Sequence, residues 1–148
     1  MTLNSWINIR PASSDDFEKL VDIWFEASIR AHHFIPESYW EENKAEMQNN
    51  YLPRSEVYLA EDEQQIYGFI ALVENEIAAI FVAPDQQGKG IGKLLISHAK
   101  NLRPQLVLNV YQDNKNSIAF YKSEGFEVAQ ESFETETQSK VFVMSWIK

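Results

Sequence analysis

The segment best equipped for chemistry is Gln87-Gly88-Lys89-Gly90-Ile91-Gly92-Lys93, with three alternating glycines and two lysines in seven residues. Glycine lets the backbone turn tightly and lets main-chain amides approach a ligand without a Cβ in the way. A continuous apolar run, 77–83, precedes the segment. Ile91, Leu94, Leu95, Ala99 and Leu102 follow at helical spacing until Pro104. The segment therefore joins a buried strand to an amphipathic helix. Amides that open a helix, at the positive end of its dipole, make an anion site suited to phosphate. Lys89 and Lys93 add local positive charge. Two familiar phosphate patterns do not fit. A P-loop needs Ser or Thr where Leu94 stands, and G-x-G-x-x-G needs its third glycine one residue later.

The elements that position this loop follow from hydrophobic period. A strand is expected over 6–10, and a helix over about 14–30 that begins with Ser13 and Asp16 in capping-box spacing. Pro36 opens a second helix with Trp40, Asn43, Met47 and Tyr51 on one face. Strands follow at 56–61, 66–74 and 76–83, the last apolar enough to be covered on both faces. After the loop come a helix to 102, a strand at 106–110, a helix over 116–124 ended by Gly125, and strands at 126–130 and 141–147. The pattern predicts one α+β domain spanning 1–148. Its sheet is mixed, mostly antiparallel, of six or seven strands, flanked by about four helices. Strands 76–83 and 106–110 should lie parallel across a right-handed helical crossover.

Composition narrows the chemistry. The 148 residues carry 13 Lys+Arg and 22 Asp+Glu, a net of −9, with 45% hydrophobic residues and no cysteine. This balance argues against a nucleic-acid backbone as partner. It is compatible with a cationic acceptor or with plain solubility. Without cysteine there is no disulfide, thiolate metal site or Cys nucleophile. No signal peptide or membrane-spanning run is visible, which predicts a cytoplasmic protein, monomer or homodimer. The three histidines stand at no metal-ligand spacing, so no metal is expected. His98 falls on an apolar helix face and reads as core.

Two motifs then converge. The stretch VAPDQQGKGIGKLL resembles the pyrophosphate loop Q/R-x-x-G-x-G/A of the Gcn5-related N-acetyltransferase superfamily, with Gln87, Gly90 and Gly92 at its defined positions. Asn116-Ser117-Ile118-Ala119-Phe120-Tyr121, running on to Gly125-Phe126, resembles the second hallmark of the same superfamily, and the element order matches over essentially the whole chain. Trp24, Ser28, His32, Phe34 and Ile35, with the ending Met144-Ser145-Trp146, are similar to the small bacterial YiaC and YjaB type.

The resemblance implies an acetyl-coenzyme A-dependent N-acetyltransferase acting on a protein lysine or a small amine. A catalytically weak acyl-coenzyme A sensor is the alternative. It implies that the backbone of Ile80, Phe81 and Val82 binds the pantetheine arm, and that the amides of Gln87, Gly88, Lys89, Gly90, Ile91, Gly92 and Lys93 hold the pyrophosphate. Asn116 either contacts the cofactor or caps its helix. Tyr121 matches the tyrosine near the coenzyme sulfur, where a phenol can act as general acid. The amide of Val82 or a neighbour is a candidate oxyanion donor. With no cysteine available, direct attack in a ternary complex is the expected route.

Two groups remain open as the base. Glu76 stands eleven residues before Gln87, the offset of the catalytic glutamate in the histone-acetylating branch, where partial burial would raise its pKa. His32 titrates in the useful range and belongs to the segment lining the acceptor side. Residues 30–52, the Tyr58 and Phe69 strand region and the last hairpin should shape the acceptor site. Tyr39, Trp40, Glu37, Glu41, Glu42 and Glu46 lend it aromatic and acidic character.

Overall fold

The computed structural model describes residues 6–148. Part of the first expected strand is set back: β1 spans Asn8–Pro11. A 3-10 turn over Ser14–Asp16 leads into α1, Phe17–Ala31. The Ser13 amide donates to Asp16 Oδ2 at 2.8 Å. Arg10 grips Asp16 and Glu61 together, tying the helix entry to the sheet. The second helix is not continuous. It breaks into α2 (Glu37–Glu42), α3 (Lys44–Glu46), a π turn at Met47–Tyr51 and a 3-10 turn at Leu52–Arg54. The extra residue of the π turn takes Tyr51 off the face shared by buried Trp40 and Met47, and leaves it 40% exposed.

Strands β2 (Glu56–Glu61), β3 (Ile66–Val73) and β4 (Glu76–Val82) form the antiparallel meander. Helix α4, Ile91–Leu102, crosses to β5, Gln105–Tyr111, which pairs parallel to β4. Helix α5 spans Lys115–Ser123. The closing hairpin is longer than its apolar residues indicate, with β6 at Glu127–Glu134 and β7 at Ser139–Ile147. β6 is an edge strand with almost every side chain exposed, so burial supplies no apolar pattern to read. The sheet has seven strands in the order β1-β2-β3-β4-β5-β7-β6, and β4–β5 is its parallel pair.

Two cores cover the two sheet faces. Ile91, Leu95, Ile96 and Ala99 of α4 pack with Ile70, Leu72, Leu108 and Phe126. Leu20, Val21, Trp24 and Phe25 of α1 pack with Leu59, Phe69, Ala71 and Ala79. Adjacent β3 residues alternate between the cores, as a pleated strand requires. His98 is half-buried rather than core, its ring edge-on to Tyr58 with centroids 4.5 Å apart. Among the described residues no helix is long and apolar enough to cross a membrane.

Candidate active site

The site begins with an irregularity in β4. Ala71 pairs with Ala79 and Leu72 with Ile77, so Ala78 is an extra residue bulged out of the ladder. A bulge bends its strand and re-aims the residues beyond it. Across the parallel pair, Glu76 and Val107 are in register, and no further pair succeeds them. Beyond that point β4 and β5 diverge, and a cleft of about 1130 Å³ opens between them. Ile80, Phe81 and Val82 line it, each half-buried, with one backbone side committed to β3.

The glycine loop closes one end of the cleft. Gly88 (φ 79°) and Gly90 (φ 89°) adopt left-handed backbone, which disfavours any side chain. Gly90 is the N-cap of α4, so the chain turns sharply before Ile91 and the first helix amides face the opening. Gly92 answers a different need: a Cβ there would stand 3.1 Å from Phe120 Cζ, so the Phe120 ring would have to give by a few tenths of an ångström. Gln87, Gly88, Gly90, Ile91, Gly92 and Lys93 line the cleft. Lys89 does not. Its Nζ donates to Gln86 Oε1 at 3.1 Å, which folds the ammonium back along the loop.

Tyr121 on α5 lies on the cleft wall and is 9% exposed. Burial alone pushes its phenol above the ordinary range, so it holds its proton at neutral pH. Asn116 also lines the cleft but is not the helix cap. That role falls to Asn114, whose Oδ1 accepts from the Ser117 amide at 3.2 Å. The cap sits two residues earlier than expected because α5 starts at Lys115.

Of the two expected bases, Glu76 is at the cleft margin and exposed, without the partial burial anticipated for it. Tyr51 stands close by. Its hydroxyl donates to the carbonyl of the bulged Ala78 at 2.8 Å, and burial and then the charge of Glu76 raise its pKa. His32, the C-cap of α1, is 7% exposed and wedged against Trp40, Phe34 and Tyr111. Asn114 Nδ2 lies 3.0 Å from its Nε2. Because Asn114 Oδ1 is committed to Ser117, the Asn amide presents N–H to the imidazole. Nε2 is then the acceptor and Nδ1 carries the proton. The ring's one lone pair is occupied. Burial lowers its pKa to about 4 against the opposing charge of Glu134, which keeps it neutral.

The acceptor side departs from the expected lining. Tyr58 lies by α4 and Phe69 is fully buried, so neither reaches the cleft. Glu37, Glu41, Glu42 and Glu46 point to solvent. The wall is made instead by Trp40, Tyr51, Tyr111 and Glu134 together with His32. Spacing alone does not single out Tyr51, Asn114 or Glu134. Only the tyrosine carries a local hint, its place at the end of an amphipathic stretch.

Comparison with known proteins identifies the family and the fold. The model of the acetyltransferase (GNAT) domain matches residues 53–128. The peptidyl-lysine N-acetyltransferase YiaC of Escherichia coli K12 is 32% identical over 139 residues, covering 93% of this chain and 95% of YiaC. The solution structure of apo YjaB from Escherichia coli superposes with a TM-score of 0.84 at 29% identity, covering 95% of this chain and 97% of YjaB. The PaiA N-acetyltransferase of Thermoplasma acidophilum, solved in complex with coenzyme A, shares the fold with a TM-score of 0.80 at 23% identity, over 96% of this chain and 99% of its own. A divergent β4–β5 pair, a left-handed glycine entry to α4 and a family match across both place the chain in one group: it belongs to the GNAT family of N-acetyltransferases.

Proposed function

We propose that residues 1–148 form one catalytic domain that moves an acetyl group from acetyl-coenzyme A to a primary amine, foremost the ε-amine of a protein lysine. The observation that carries this reading is that one cleft is lined by the diverging stretch Ile80–Val82, the helix start at Gly90–Lys93, and Tyr121. The helix amides and Lys93 suit a pyrophosphate, and the side of β4 turned from β3 suits the amide groups of a pantetheine arm. Asn116, exposed on the first turn of α5, is free to contact the same ligand.

The reaction is direct. The neutral amine attacks the thioester carbon, the C–N bond forms, and the C–S bond breaks as the oxyanion collapses. Tyr121 gives its proton to the departing thiolate, which a phenol held protonated by burial can do. The Val82 amide or a neighbour steadies the oxyanion. Glu76 removes the amine's proton through water. Because Ala78 is bulged, Glu76 and Ile80 are three ladder steps apart, roughly 10 Å along the strand, which is too far for direct contact with a group held at Ile80. His32 is assigned to positioning, because its lone pair is held by Asn114.

Two measurements test the reading. Saturating acetyl-coenzyme A should raise the melting temperature, as linkage requires of a ligand bound by the native state. Tyr121→Phe should keep that shift and lose about 10²-fold or more in coenzyme A release with a lysine peptide. No shift in the parent would refute the cofactor assignment. An unimpaired Tyr121→Phe enzyme would refute the acid.

A further inference from the structure

The acceptor half of the cleft holds a carboxylate with an unusual set of partners. Glu134 ends β6, opposite Ser139 across the hairpin. Its Oε1 accepts from the Tyr111 hydroxyl at 2.7 Å and from the Thr137 hydroxyl at 2.7 Å. Both donors are neutral, and both go to the same oxygen. Among the described residues, Oε2 makes no hydrogen bond and the carboxylate forms no ion pair; the ion pairs elsewhere use Arg10, Lys44 and Arg103. The side chain is half-buried and lines the cleft with His32, Trp40 and Tyr111.

The surroundings are aromatic. Tyr111 meets His32 edge-on at 4.9 Å and Phe34 at 5.7 Å, while Tyr39 meets Trp40 at 4.9 Å. A half-buried carboxylate that has only neutral donors is open to a stronger, charge-assisted hydrogen bond from a cation. Trp40 and Tyr111 line the same cleft, and aromatic ring faces attract positive charge. Two neutral hydroxyls hold one oxygen and leave the other open to a donor that enters the cleft.

We infer that Glu134 is the acceptor-recognition residue. Its Oε2 receives an N–H of a lysine ε-ammonium entering the cleft, while Tyr111 and Thr137 hold the carboxylate's aim. This rests on the proposed amine acceptor. The role is selection rather than proton removal, since a carboxylate beside an ammonium favours its charged form. Glu134 therefore acts on binding of the charged acceptor, and proton loss takes place nearer the thioester. The nitrogen becomes positive again as the C–N bond forms, so the carboxylate serves the bound acceptor and the transition state alike, and losing such uniform binding raises KM and leaves kcat alone.

The test compares the parent with Glu134→Gln, using a short lysine-containing peptide. The KM for the peptide should rise about tenfold or more, with kcat within about twofold and the acetyl-coenzyme A melting shift unchanged. Tyr111→Phe, which removes one of the two aiming hydrogen bonds, should raise KM by a smaller factor. Calorimetric titration of the same peptide, without cofactor, should show weaker binding to Glu134→Gln than to the parent. An unchanged KM, or a peptide affinity that ignores the substitution, overturns the inference. Peptide binding that depends on Glu134 in a parent that releases no coenzyme A would uphold the inference and refute the proposed activity instead.

Discussion

His32 makes the stability of this protein depend on pH in a window set by one ring. The imidazole is neutral in the native state, with its pKa lowered to about 4 by burial, whereas the unfolded chain binds a proton at the ordinary value near 6.5. Between those values the unfolded state carries more protons, so stability rises with pH. The contribution is fully present above about pH 6.5 and is lost as the pH falls towards 4. The whole shift is worth about 3 kcal/mol, and about 2.5 kcal/mol of it is gone near pH 4.5.

The perturbation that isolates this is His32→Gln, whose carboxamide oxygen can still accept from Asn114 Nδ2. Urea unfolding of parent and variant should be followed from pH 7 to pH 4.5 with the midpoint and m-value at each step. Every other ionisable group is common to both proteins and cancels in the difference. The gap between the two stabilities should narrow or reverse by about 2–3 kcal/mol on acidification. Parallel curves over the whole range would refute a neutral, buried His32. Turnover at neutral pH should likewise be independent of His32 titration, since the ring is already deprotonated there.

Two further substitutions probe the walls of the cleft. Gly68→Ala, on β3 opposite Val82, places a Cβ 2.6 Å from the Phe81 carbonyl oxygen; the strands must part, which should cost about 1–3 kcal/mol in a urea melt and weaken acetyl-coenzyme A binding. Asn114→Ala removes the α5 cap and strands the His32 acceptor, for a loss of about 2–4 kcal/mol, whereas Asn114→Ser should recover the cap and only that part of the stability.

Much of the site is legible in the sequence because it is local. Alternating glycines before an amphipathic helix describe the loop whatever surrounds them, and φ 79° and 89° at Gly88 and Gly90 are what that alternation serves. Tyr121 is visible for the same reason, lying on a nine-residue helix between a cap and Gly125. Lys89 shows the limit of local reading. Its position in the loop suggests a charge aimed at the ligand, but its neighbour Gln86 holds it, and a side chain's direction is not written in its spacing. Glu76 likewise has the right offset and a solvent-exposed setting that only strand pairing reveals.

What the chain alone determines is the order of elements, the glycine-marked start of α4 and the exclusion of any cysteine-based acyl intermediate, because each depends on residue type and near neighbours. Tertiary structure decides what the acceptor meets. Asn114 reaches His32 across 82 positions of sequence and engages the Nε2 of its imidazole. Tyr51 reaches the Ala78 carbonyl across 27, and Tyr111 reaches Glu134 across 23. Such partners are chosen by how strands and helices pack. Proton affinity is set by burial and by these distant partners, so the protonation states of the site become definite only once the chain has folded.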